Sequence, residues 1–120
     1  MDTPTILIVD DSRVSRMMIS AIIHNLHPDW QIEEAASADE ALIKLDGLDP
    51  AQAIIDYNMP GMDGISLSEQ IQKRSLSTRI TLLTANVQDT LREKAAALGV
   101  GFIGKPITED KIKSIIADLS

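Results

Sequence analysis

Five side chains in this sequence could do chemistry together: the adjacent pair Asp10 and Asp11, then Asp56, Thr84 and Lys105. Each stands at or shortly beyond the end of a short apolar run, namely Ile6 to Val9, Ala53 to Ile55, Ile80 to Leu83, and Val100 to Ile103. If those runs are strands of one parallel sheet, the five residues meet at its carboxyl rim, where such sheets bind their ligands. Carboxylates crowded there must take up protons or a cation. An all-oxygen set favours a hard divalent ion, and Mg2+ fits best because it accepts one or two carboxylates and shares its remaining positions with water and phosphate oxygens. Lys105 adds a point charge able to pair with a carboxylate or a phosphoryl oxygen. Thr84 adds a hydroxyl. The set suits phosphoryl transfer, in which the protein positions groups and neutralises charge. The nucleophile it offers is a carboxylate, so the product would be an acyl phosphate.

The elements that must carry these residues are legible in the spacing. The four runs are apolar on consecutive positions, the pattern of strands buried on both faces. Gln31 to Ala36 includes Glu33 and Glu34 and reads as a more exposed edge strand. Between the strands come helical stretches. Val14, Met17, Met18, Ala21 and Ile22 step by three and four along one face, as do Ile112, Ile115, Ile116 and Leu119. Ser37-Ala38-Asp39-Glu40 is a capping box with Gly47 as a stop, Gly64 to Ser75 is a further helix, and Gln88 to Leu98 is another, followed by Gly99 for a left-handed terminal turn. Thr108, with Glu109 and Asp110, starts the last helix. The order is strand-helix repeated five times, which predicts an α/β fold with a parallel sheet covered by helices on both sides.

The bulk properties agree with one domain over residues 1–120 and exclude several functions. With 44% hydrophobic and 24% charged residues the chain resembles an ordinary globular domain. The absence of cysteine rules out disulfides, thiolate metal sites and thiol catalysis and fits the cytoplasm. Met1 is followed by Asp2 with no leader-like segment, and no apolar run approaches about 18 residues, so neither secretion nor membrane insertion is expected. The net charge is −7 and the eleven Lys and Arg residues are scattered, which disfavours direct nucleic-acid binding.

Four segments together resemble the receiver domains of two-component signalling. They are the acidic pair in Ile8-Val9-Asp10-Asp11-Ser12, the stretch Asp56-Tyr57-Asn58-Met59-Pro60-Gly61-Met62-Asp63-Gly64, Leu83-Thr84-Ala85, and Gly104-Lys105-Pro106. Each alone is weak, but all four in order at strand ends are specific, and the likeness runs along nearly the whole chain. The resemblance implies a flavodoxin-like, doubly wound (βα)5 sheet in the strand order 2-1-3-4-5, an order for which the chemotaxis receiver is a standing example. It implies that Asp56 is phosphorylated by a histidine kinase, a histidine phosphotransfer protein or a small phosphodonor. Asp11 and Asp56 would ligate Mg2+, Asp10 would act mostly through water, and Asn58 would give its main-chain carbonyl. Thr84 and Lys105 would bind the phosphoryl group, and Phe102 would be the aromatic that turns inward when Thr84 moves. The Lys105–Pro106 bond would be cis. An output partner would meet the face of the fourth helix, fifth strand and fifth helix, with the chain a monomer or a phosphorylation-dependent dimer. Asn58 and Asn86 occupy the positions that tune phosphoryl lifetime.

Blander readings compete. Asp10 and Asp11 could cap the first helix, Asp56 could be a turn residue before Pro60-Gly61, Thr84 could simply end a strand, and Lys105 could be solvated. Phe102, the chain's one Phe, could be core. His24 and His27 could be a metal pair but read better as surface residues near a helix C-terminus. Tyr57 could shade the site. Of the methionines, Met17 and Met18 read as core and Met59 and Met62 as loop. Among functions, an aspartyl phosphatase of the haloacid-dehalogenase kind would need its nucleophile after the first strand with a second Asp two residues on, where Asp56 has Asn58. A non-phosphorylated pseudo-receiver would normally have lost an acidic or Lys position. With the last helix ending at about Leu119, the chain is either a stand-alone regulator of the chemotaxis type or a receiver cut from a larger protein.

Overall fold

The computed structural model describes residues 3–75, 77–85 and 88–119. Five strands, β1 (Thr5–Val9), β2 (Gln31–Ala35), β3 (Gln52–Asp56), β4 (Arg79–Thr84) and β5 (Gly101–Gly104), pair in parallel in the order β2-β1-β3-β4-β5. Five helices connect and cover them: α1 (Arg13–Leu26), α2 (Ala38–Leu45), α3 (Gly64–Arg74), α4 (Asp89–Leu98) and α5 (Glu109–Ile116), with a 3-10 turn over Ala117–Leu119. This is the flavodoxin-like, doubly wound (βα)5 arrangement that the resemblance implies.

The sheet separates two apolar layers because successive strand residues point to opposite faces. Leu7, Val9, Ala53, Ile55 and Leu82 pack with α2, α3 and α4, while Ile6, Ile8, Ile54 and Leu83 pack with Ile19 and Ile23 of α1 and Ile112, Ile115 and Ile116 of α5. Burying each such side chain contributes roughly 1.5–3 kcal/mol. The central strands are buried along their length, whereas β5 lies at an edge and keeps Phe102 and Ile103 only half-buried, unlike the fully covered strand its composition predicts.

Helix starts follow their caps. Ser12, Ser37, Asp63 and Thr108 each accept a hydrogen bond from the main-chain N–H three residues on. The capping box of α2 closes one residue early, with Glu40 Oε2 accepting from the Ala36 N–H. At the end of α4, Gly99 has φ +73°, its N–H donates to Ala96 O, and the Val100 N–H donates to Ala95 O. That paired closure consumes Val100, so β5 begins at Gly101 and not at Val100.

The face assigned to α1 is the largest correction. Val14, Met17 and Met18 are 66%, 56% and 45% exposed, and the helix buries Ile19 and Ile23 instead. Two overlapping three-and-four spacings run along this helix, and the sheet takes the isoleucine-rich one. Met17 and Met18, expected in the core, thus face solvent, while Met59 lies in the β3–α3 loop as expected and is buried there.

Candidate functional site

Strand register assembles the site. Val9 pairs with Ile55 and Asp56 pairs with Leu83, so Asp10 and Asp56 stand at equivalent depth on neighbouring strands. Thr84 pairs with Gly104, which puts Lys105 one step beyond on the far side. One carboxylate oxygen from each of Asp10, Asp11 and Asp56 lies within 4.8 Å of the others, close enough for the three to hold a metal ion together. Asp10 and Asp56 are buried and Asp11 is exposed, so the cluster opens to solvent through Asp11. Lys105 Nζ reaches Asp10 Oδ2 at 3.3 Å and Asp56 Oδ1 at 3.6 Å.

The bland capping role for Asp10 and Asp11 is taken by Ser12, whose hydroxyl accepts from the Ser15 N–H. Asp10 Oδ1 accepts from the Ser12 N–H at 2.8 Å, which turns the carboxylate back over the rim. Asp56 carries the electrostatic cost: burial, then the charge of Asp10, raises its pKa from 3.8 to about 6, with Asp11 adding to the rise and Lys105 opposing it. A divalent cation at this place would relieve the crowding, so the donor set fits one.

Thr84 is fully buried at the end of β4, and its carbonyl accepts from the Lys105 N–H at 2.8 Å. The Lys105–Pro106 bond is cis. Lys111 Nζ donates to the carbonyls of Gly104 and Pro106, holding the loop on both sides of Lys105. On the other flank, α3 starts directly against the end of β3: a Cβ on Gly64 would stand 2.8 Å from Asp56 O. Asn58, two residues beyond Asp56 in the chain, is exposed, and Asn86 lies outside the described residues.

Phe102 is half-buried against the α2–α4 layer, with the Arg92 guanidinium carbon 4.8 Å from its ring centroid. Tyr57 lines a groove of about 380 Å³ between α3 and α4. His24 is exposed, while His27 stacks on Trp30 with ring centroids 3.8 Å apart. Among the described residues neither histidine joins a group of potential metal ligands, so the metal-pair reading has no geometric support. A cavity of about 610 Å³ lies at the opposite end of the sheet beside Gln52, Arg79 and Ser114, away from the carboxylates.

Sequence reasoning named the side chains gathered at the rim and missed the residues packed around them, Lys111, Gly64 and Arg16, whose Nη1 donates to Asp10 O. The signal for Gly64 was present, a glycine directly after the helix cap Asp63.

The family model for the response regulator receiver domain matches residues 6–117. The chain is 34% identical over 116 residues to the sensor protein EvgS of Escherichia coli, covering 96% of this chain and 10% of that protein. It is 32% identical to the chemotaxis protein CheY of Listeria monocytogenes, covering 89% of this chain and 90% of the relative. The chain thus spans about a tenth of the sensor protein it matches and nearly the full length of the chemotaxis protein. Among solved structures, the chemotaxis protein CheY4 of Vibrio cholerae superposes with a TM-score of 0.89 at 25% identity, covering 99% of this chain and 100% of that one. CheY in the CheX-CheY-BeF3-Mg+2 complex of Borrelia burgdorferi superposes with a TM-score of 0.85 at 26% identity, covering 95% and 87%.

Proposed function

This chain belongs to the response regulator receiver domain family, and from that premise we propose that Asp56 is its phosphoacceptor. The observation that carries the reading is the gathering of Asp10, Asp11 and Asp56 within 4.8 Å under the Lys105 ammonium group. An Asp56 carboxylate oxygen forms a bond to phosphorus as the bond from phosphorus to the donor's imidazole nitrogen, or to a small donor's oxygen, breaks in line. The leaving group departs with the electron pair and takes a proton from solvent.

Asp11 and Asp56 would ligate Mg2+, Asp10 would act mostly through water, and the Asn58 main-chain carbonyl would complete the protein's contribution. When bound, the ion neutralises the crowded oxygens and those of the incoming phosphoryl group. Lys105 then exchanges a carboxylate partner for a phosphoryl oxygen, and the Thr84 hydroxyl donates to another. A structure that resembles this chain was solved as a CheX-CheY-BeF3-Mg+2 complex, which supports Mg2+ as the ion. Water later attacks the acyl phosphate, so the domain also catalyses its own dephosphorylation and acts as a signalling module, not a turnover enzyme.

The donor is a histidine kinase or a histidine phosphotransfer protein. Exposed Val14, Met17 and Met18 occupy the first two turns of α1, beginning three residues beyond Asp11, and give such a partner an apolar footing beside the mouth. The output partner meets the α4-β5-α5 face, where Phe102 answers the movement of Thr84. Residues 1–120 act as one receiver, stand-alone or part of a larger regulator. No described helix is long and apolar enough to cross a membrane, which is compatible with a cytoplasmic setting.

The aspartyl-phosphatase reading is disfavoured because the acceptor follows β3 and Asn58 stands where that class needs a second Asp. The pseudo-receiver reading is disfavoured because every acidic and Lys position is present and converges. Incubation with acetyl phosphate and Mg2+ followed by intact-mass measurement tests the assignment. One phosphoryl addition is expected, absent in Asp56→Asn; steady release of phosphate from unrelated monoesters would overturn it.

A further inference from the structure

Arg16 touches neither the reacting oxygens nor the expected metal position, yet it is firmly engaged beside them. Its side chain is 15% exposed, an unusual depth for a cation near the start of a surface helix. Nη1 donates to the main-chain carbonyl of Asp10 at 2.6 Å, and Nε donates to Glu34 Oε1 at 3.1 Å. Glu34 is held in turn, since its Oε2 accepts from the Ser20 hydroxyl and its carbonyl from Lys44 Nζ. The guanidinium therefore spans the end of β1 and the body of β2 by its rigid fork.

The carbonyl it grips is the oxygen of the peptide joining Asp10 to Asp11. A peptide unit is planar, so fixing that oxygen fixes the plane from which the Asp11 side chain departs. Asp10 has other restraints: its N–H donates to Ala35 O at 3.1 Å, and its carboxylate is bound by the Ser12 N–H and by Lys105. Asp11 is exposed and begins the loop into α1. Its direction depends on the peptide that Arg16 holds.

We propose that Arg16 is a positioning residue for the metal, setting the aim of the Asp11 carboxylate through the Asp10 carbonyl. The proposal rests on the reading of the acidic cluster as the Mg2+ site. A plain charge effect has the opposite sign. Removing a cation near three carboxylates makes the cluster more negative and tightens Mg2+ by Coulomb attraction, whereas losing the aim of one ligand weakens it. A Lys at this place keeps the charge but has a point donor in place of the fork, so it recovers part of the effect.

The test is Mg2+ titration by isothermal calorimetry of the wild-type chain, Arg16→Met and Arg16→Lys, on samples whose thermal melts are cooperative. Supports to metal ligands typically alter affinity by about ten-fold or more, and a rise of about ten-fold in Kd is expected for Arg16→Met with a smaller rise for Arg16→Lys. Labelling by acetyl phosphate at saturating Mg2+ should stay within about two-fold of wild type, because the acceptor and Lys105 are untouched. An unchanged or lower Kd in Arg16→Met overturns the proposal while leaving the metal site standing. If Arg16→Met does not fold, Arg16→Lys decides, and an unaltered Kd there overturns it. A wild-type chain that takes up no Mg2+ overturns the metal reading and this proposal with it.

Discussion

The two ends of the sheet are both polar, and they differ in how their polar groups are satisfied. At the amino end, Gln52 Nε2 donates to Ala53 O and Thr81 Oγ1, the Thr78 hydroxyl donates to Pro50 O, and the Ser75 hydroxyl donates to Asp49. Neutral partners close most of that network, even though a cavity of about 610 Å³ lies beside it. At the carboxyl end, three carboxylates crowd together, two of them share one ammonium group, and Asp56 is pushed to a pKa of about 6. Volume marks the first region and unbalanced charge the second. Chemistry belongs where a folded chain keeps charge that an added ion or phosphoryl group would settle.

If that imbalance is real, neutralising Asp56 should stabilise the protein. A carboxyl raised from 3.8 to about 6 favours folding at low pH, and the advantage is lost as pH rises through about 6. Above that value the ionised Asp56 is a liability of about 3 kcal/mol, from roughly two pKa units at 1.36 kcal/mol each. Asp56→Asn, measured in urea without Mg2+, should gain that amount at pH 7.5 and nothing at pH 4. A gain that does not vary with pH would mean that the charge is not its cause. Mg2+ should narrow the gap at neutral pH by stabilising the wild type.

A steric change at the same end should come next. Gly64→Ala places a Cβ 2.8 Å from Asp56 O and 2.9 Å from Tyr57 Cα, both main-chain atoms that cannot step aside cheaply. A loss of about 2 kcal/mol is expected, together with slower labelling of Asp56 as the end of β3 is displaced. Wild-type stability and labelling would show that α3 docks loosely there. Lys105→Met follows, with a loss of roughly 1–2 kcal/mol at pH 7.5, below the usual cost of breaking a buried pair because Asp56 escapes by taking up a proton. Its stability should approach that of the wild type when the pH is lowered through the titration of Asp56, and a loss that persists at pH 4 would sink this account.

How much of this was legible depended on what kind of partner each residue has. Strands β1, β3 and β4 follow from apolar runs, and Gly99 follows from its place after a helical repeat, because backbone conformation and burial leave a mark on composition. The carboxylates and the lysine gathered at the rim follow from their positions after those runs. Arg16 and Lys111 were not legible, since what each grips beside the site is a main-chain carbonyl, which every residue possesses and no residue type announces. The face of α1 was misread because Val14, Met17 and Met18 satisfy the helical spacing as well as Ile19 and Ile23 do. Only the sheet distinguishes them. Pattern reports which residues could be covered, and tertiary packing decides which are.

The smallest effect is expected at the amino end, where Thr81→Ala tests the other half of the contrast. Thr81 is 8% exposed, and its hydroxyl oxygen accepts from Gln52 Nε2 at 3.1 Å. The substitution removes that acceptor but leaves the same amide donating to Ala53 O at 3.0 Å, so no buried donor is stranded. The cost should be about 1 kcal/mol, the ordinary value of one neutral hydrogen bond. Because no charge changes and the site lies across the length of β4, Mg2+ affinity and the pH dependence of stability should match those of the wild type. A shift in either would mean that the two ends communicate through the strands, and the contrast between a settled end and an unsettled one would have to be replaced by a single coupled network.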